Sequence, residues 1–98
     1  MSLPIVLRDE AQAEFDEAFD FYEANRPSSG VRFANRVRDV FRQIAANPEM
    51  HSIVRADIRK VAVPRYPYRI FYRADDTHVE ILAVFHTSRN PRIWQLRI

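Results

Sequence analysis

The sequence predicts an α+β domain in which an antiparallel helix hairpin packs against a small sheet, in the order β-α-α-β-β-β. Three observations predict it. Two amphipathic stretches follow one another with only a proline joint, Asn25-Arg26-Pro27, between them. Three runs rich in β-branched and aromatic residues then fill residues 58–86, with proline or aspartate turns between them. A short apolar run precedes the first helix, so strands lie on both sides of the helices in the chain.

Each element has its own signal. Leu3 to Leu7 is apolar and holds Pro4, which confines it to a sheet edge. Asp9 and Glu10 open the first helix, acids sitting well against its positive end. Ala11, Phe15, Ala18, Phe19 and Tyr22 recur at helical spacing and form one apolar face, with the acids on the other. Ser28 or Ser29 is suited to cap the second helix. Phe33, Val37, Val40, Phe41 and Ile44 form its stripe, and Asn47-Pro48 ends it. Arg32, Arg36, Arg38 and Arg42 fall mostly off that stripe, where the acidic face of the first helix could meet them. Residues 49–57 read as irregular. Ile58 to Val63 is a strand, and Pro64 and Pro67 bracket the next connection. Tyr68 to Arg73 alternates, with Tyr68, Ile70 and Tyr72 on one face and Arg69, Phe71 and Arg73 on the other. Asp75-Asp76 turns the chain. His78 to His86 is apolar throughout its middle, which suits a central strand covered on both faces. The last three strands form an antiparallel meander.

Ninety-eight residues make a single domain spanning 1–98. Such a chain buries only about two-thirds of its unfolded surface, so a partner covering apolar surface matters to it. With 47% hydrophobic and 29% charged residues the composition is that of a folded domain. The absence of cysteine removes disulfides, thiolate ligands and thiol nucleophiles. Gly30 is the only glycine, which excludes a glycine-rich phosphate loop. No apolar run reaches the ~20 residues of a membrane helix, and residues 1–8 are too short and polar for a signal peptide. The chain therefore reads as cytoplasmic.

Charge is distributed unevenly. Residues 1–23 hold Asp9, Glu10, Glu14, Asp16, Glu17, Asp20 and Glu23 against one base, Arg8. The remaining residues are basic, and every base in the chain except Lys60 is arginine. Arginine's planar fork suits carboxylate and phosphate, so the bias fits anion recognition; arginine-rich codon usage is the alternative source. The run from Lys60 to Trp94 concentrates these arginines among aromatics and reads as a docking surface.

The order β-α-α-β-β-β, the strand YPYRIFYR and the ending ILAVFHTSRNPRIW resemble the RelE/ParE superfamily of bacterial type II toxins. The resemblance covers nearly the whole chain, and the C-terminal stretch is its specific part. It implies a RelE/ParE-like fold and a toxin encoded beside an antitoxin, whose C-terminal segment wraps and neutralises it. Two modes of action go with the superfamily: RelE-like members cut mRNA in the ribosomal A site, and ParE-like members poison DNA gyrase. The ending H-T-S-R-N-P-x-x-W is closer to the ParE-like, plasmid-stabilisation branch. Arg69 sits where the arginine of the strand motif sits in both branches. His86 lies near the C-terminal histidine of some nuclease members, whereas Trp94 and Ile98 stand where their C-terminal tyrosine would be.

The resemblance thus implies growth inhibition by binding gyrase, with ribosome-dependent mRNA cleavage as the alternative. Metal-free RNA cleavage needs a base, a cation beside the phosphorane and an acid for the leaving oxygen. His86 or Glu49 is the candidate base, Arg69 and Arg73 the candidate phosphate ligands, and His86 or an arginine the candidate acid. Each has a plainer reading. A histidine at a strand end commonly bonds backbone, Glu49 follows Pro48 in a loop, and the arginines could pair with acids. Arg89 in particular could pair with the acidic helix. The residues assigned to target or antitoxin contact are Arg59, Lys60, Arg65, Arg69, Arg73, Arg89 and Trp94. His51, His78 and His86 lack metal-ligand spacing, so no metal or other cofactor is expected. Ser28, Ser29, Ser52 and Ser88 carry no nucleophile signature. Tyr66, Tyr68 and Tyr72 could stack bases, but a small sheet needs aromatic packing, which is the plainer role for Tyr68, Phe71 and Tyr72. A homodimer is a further expectation from the partner-seeking surface.

Overall fold

The computed structural model describes residues 2–98. Strand β1 (Ile5–Leu7) leads into helices α1 (Asp9–Asn25) and α2 (Ser29–Ala46). Strands β2 (Ile53–Arg55), β3 (Ile58–Ala62), β4 (Tyr68–Ala74) and β5 (Val79–His86) follow, and a short helix α3 (Arg92–Gln95) comes after them. One sheet has the order β1-β5-β4-β3-β2. Strands β2 to β5 form an antiparallel meander, and β1 adds to β5 in parallel. The expected α+β class, helix hairpin and edge position of the first strand are all present.

Two expectations change. Residues 49–57 are not wholly irregular, because β2 pairs with β3 and makes the sheet five-stranded. All three residues of β2 are exposed, so no apolar alternation marked it. The turn between β2 and β3 places Ala56 in the left-handed region, at φ 49°. The second change is at the start of α2, where neither serine side chain caps the helix. Ser28 is itself left-handed, at φ 72°, and the Glu23 carboxylate reaches across instead. It accepts from the backbone N–H groups of Ser28 and Gly30, each at 2.9 Å. The Ser28 amide foremost holds the Glu23 carboxyl below its usual range. A carboxylate can do the work of a cap because these amides are the orphan donors of a helix start.

The main core lies between the helix hairpin and one sheet face. Phe33, Val37, Val40 and Ile44 of α2 meet Ile70, Tyr72, Val79, Ile81 and Val84 there, with Ala11 and Ala18 of α1. The other face carries a second cluster of Ile58, Phe71, Leu82, Ala83, Phe85 and Trp94. Both faces of β5 are therefore covered, as its unbroken apolar run implies. A bulge makes this work: Phe71 pairs with Ala83 but Tyr72 with Ile81, so Leu82 is an extra residue on β5. Helix α3 closes the second cluster by stacking Trp94 on Phe71, with ring centroids 4.1 Å apart.

Candidate functional site

Strand geometry sorts the candidate residues onto different faces. Tyr68 pairs with His86, and the two rings meet edge to face at 5.1 Å on the helix side. Arg69 is the next residue on β4, so its side chain stands on the opposite face, across from Phe85. Arg69 and His86 are thus separated by the sheet. Glu49 follows α2 beside Arg59, Asp75 and Asp76, at the far end of β4. Six steps along β4 put the two ends about 20 Å apart. The three residues considered for RNA cleavage occupy three places.

His86 opens onto a cleft of about 250 Å³ between α1 and the end of β5, with Glu14, Glu17, Tyr68 and Arg89 among its walls. The His86 Nδ1 accepts from the Ser88 backbone N–H at 3.0 Å and lies 2.8 Å from the Ser88 hydroxyl. Nδ1 is thereby engaged within the turn that follows β5. Burial raises the Tyr68 phenol above its usual range, so it is a hydroxyl here.

In the wall of this cleft lies a charge cluster of which the sequence indicated one contact, that of Arg89 with the acidic helix. Glu14 is buried at 8% exposure. It accepts from the Val84 backbone N–H at 3.1 Å, from Arg89 at 2.6 Å and from two nitrogens of Arg97 at 2.9 Å each. Arg97 also donates to the Leu82 carbonyl, and its own carbonyl accepts from Arg8. The acids of α1 were expected to face outward and to meet arginines of α2. Glu14 instead sits between Ala11 and Ala18 on the inward stripe and takes its partners from residues 89–97. A carboxylate interrupting an apolar stripe is the sequence signal for such a buried partner; nothing local marks Arg97.

The seven residues assigned to partner contact divide into three kinds. Lys60 and Arg69 are exposed on the outer face of the sheet and make no ion pair among the described residues. Lys60 faces Phe71 across the ladder, which puts Arg69 and Arg73 at its two diagonal positions, about 7–8 Å away. Arg65 is exposed in the β3–β4 turn and left-handed, at φ 70°. Arg73 and Arg89 are paired instead, the first with Glu80 at 3.0 Å across the ladder, the second with Glu14. Arg89 also lies over the Phe85 ring, 4.7 Å from its centre. Arg59 and Trp94 serve the fold. Arg59 donates to the carbonyls of Glu49 and His51, at 3.1 and 2.7 Å, and pins the loop after α2. Trp94, expected at a partner interface, is 4% exposed and fills the second core cluster. An indole stacked on Phe71 has no surface left to offer.

The aromatics follow the packing reading. Tyr72 is fully buried and donates to the Pro48 carbonyl at 2.7 Å. Phe71 is buried, and Tyr66 and Tyr68 pack edge to face on Phe33. Burial lowers the pKa of His51, helped by the nearby Arg59 charge. Its Nε2 is buried with no hydrogen-bond partner.

Comparison with known proteins bears on this arrangement. The family model described as "ParE toxin of type II toxin-antitoxin system, parDE" matches residues 5–91. No curated protein matches the sequence. Among solved structures, the fold is similar to a chain of a "Chromosomal ParDE TA system from P. aeruginosa", with a TM-score of 0.75 at 15% identity. That similarity covers 89% of this chain and 98% of the other. At that identity it speaks for the fold, while the family match runs from β1 through every strand of the sheet to the turn before α3. The chain belongs to the family of ParE toxins of type II toxin–antitoxin systems.

Proposed function

We propose that this toxin inhibits growth by docking on DNA gyrase and not by cutting RNA. The dispersal of Arg69, His86 and Glu49 carries the reading. Cleavage without a metal needs base, cation and acid around one phosphate. A sheet separates Arg69 from His86, and Glu49 lies towards the opposite end of β4, beside Arg59, Asp75 and Asp76. The outer face suits docking better: Lys60, Arg69 and Arg73 surround a Phe71–Trp94 stack that is rigid and already packed. A basic surface on a stiff sheet binds without ordering its backbone, so only the side-chain rotamers must be fixed.

An antitoxin is the partner that membership of a toxin–antitoxin family implies. Its C-terminal segment would cover the apolar side chains of Val54 on β2 and of Ile93 and Leu96 at α3, 36–80% exposed. Arg55 donates to Gln95 at 3.3 Å and holds the two elements side by side. The same side chains would join two copies when antitoxin is absent. No described helix is long and apolar enough to cross a membrane, and a gyrase target would put the action in the cytoplasm.

The test is a supercoiling assay beside a translating extract. Purified toxin is expected to block supercoiling by gyrase and to leave mRNA intact. Arg69→Glu is expected to lose the block with an unchanged circular dichroism spectrum. Cut mRNA with unaffected supercoiling would overturn the proposal.

A further inference from the structure

A second basic surface lies on the helix hairpin, away from the faces already discussed. A cleft of about 520 Å³ runs between α2 and the β3–β4 turn. Arg32 and Arg36 line one side, Arg65 and Tyr66 the other, with Asn35 and Asp39 at its margin. Arg32, Arg36 and Arg65 make no ion pair with any described carboxylate. Asp39, the only acid in the lining, is taken by Arg42 at 2.5 Å.

Two features make this more than a solvated face. Arg32 and Arg36 are one helical turn apart, where like charges repel, and neither makes an ion pair with a described carboxylate. Arg65 adds a third charge from the facing turn while held left-handed, a conformation that residues with a Cβ rarely adopt. A ligand that is itself a row of anions removes the repulsion.

We propose that this cleft holds the phosphodiester backbone of a nucleic acid. Three arginine forks along one groove match a chain of phosphates, each of which can be gripped by two parallel N–H donors. An acidic peptide fits less well. Peptide interfaces depend on buried apolar anchors, and this lining holds no aliphatic side chain. Its one aromatic, Tyr66, already has its ring engaged by Tyr22 and Phe33. The contact is with the backbone and is indifferent to base sequence. The proposal does not depend on gyrase being the target.

The experiment is salt-dependent binding of the full chain to a fluorescent DNA duplex and to a single-stranded RNA of the same length. The variant Arg32→Ala/Arg36→Ala/Arg65→Ala removes three exposed side chains, and its melting temperature checks that it folds. Each phosphate contact contributes about 0.9 to the slope of log K against log salt on duplex DNA and about 0.7 on a single strand. The triple variant is expected to lose about 2–3 from the slope, and whichever nucleic acid shows that loss is the ligand. Arg92→Ala, a charge change on α3, is expected to leave the slope as it was. An unchanged slope in the triple variant, or an equal fall in the control, would overturn the proposal. So would a poly-glutamate of matched length and charge that binds as tightly and loses its affinity in the triple variant. That result would make the cleft a carboxylate-docking surface.

Discussion

Substituting Glu14 by glutamine tests the buried cluster that ties residues 89–97 to α1. The change keeps side-chain shape and removes one charge. Arg97, with a side chain 11% exposed, is then left without a counter-charge, and the amide NH₂ faces guanidinium donors. Arg89 matters less, because its side chain is 40% exposed and water screens it. Breaking a buried pair by removing one partner costs about 3–5 kcal/mol. A domain of this size has a total stability of about 5–15 kcal/mol, so Glu14→Gln removes a fifth or more of it. The melting temperature should fall by about 12–40 °C. Trp94 is the only tryptophan and is buried on Phe71, so its fluorescence reports urea unfolding directly. Replacing both partners with apolar residues, Glu14→Leu with Arg97→Met, should restore stability to within about 2 kcal/mol. A Glu14→Gln protein within about 1 kcal/mol of the parent would refute the reasoning. It would mean that water reaches the cluster and the charges are not held out of solvent.

Further outcomes follow from single contacts. Gly30→Ala places a Cβ 2.7 Å from the Phe19 carbonyl oxygen and 2.9 Å from Glu23. The helix hairpin must then open, at a cost of about 1–3 kcal/mol by urea unfolding; a neutral effect would show that the helices part freely. Trp94→Ala empties the second cluster and should cost about 3–5 kcal/mol, read from far-UV circular dichroism during thermal unfolding. A smaller loss would return Trp94 to the surface. Asp75 accepts from the Thr77 hydroxyl and from the backbone N–H groups of Thr77 and His78, and these hold its pKa down to about 2. The folded value lies below the ordinary 3.8, so its contribution is present above pH ~4 and lost as pH falls towards 2. Asp75→Asn should flatten the pH dependence of melting between pH 4 and 2, and an unchanged slope there would contradict the turn geometry.

The helix hairpin and β3 to β5 were legible in the sequence because their apolar residues repeat at helical or alternating spacing. Strand β2 was not, since Ile53, Val54 and Arg55 are all exposed and its pairing is a tertiary fact. The face on which His86 stands was hidden for a different reason. The run Val79 to Phe85 is apolar at nearly every position, so it gives no sign that Leu82 is an extra residue. That bulge sends Ile81 and Val84 to the same side and sets which residues share a face with His86. Apart from Arg89, whose pairing with the acidic helix was legible, the basic residues were legible as charges and not as roles. Arg69 and Lys60 make no ion pair among the described residues, while Arg59, Arg73 and Arg89 find partners that the linear chain keeps apart.

Strand β1 also sets an order of assembly. Hairpins β3–β4 and β4–β5 close over a few residues, and such pairings form within microseconds. β1 pairs Ile5 with Val79 across both helices and three strands. Closing that loop costs about 2 kcal/mol more than closing the β4–β5 hairpin, and only three residues of ladder repay it. β1 is therefore the last strand to join the sheet and the first to leave. Each departure uncovers the Val79–Ile81 edge of β5, an apolar strand able to pair with another chain. Protection against hydrogen exchange should be lower at Val79 and Ile81 than at Phe71 and Ala83, and aggregation on heating should start from that edge.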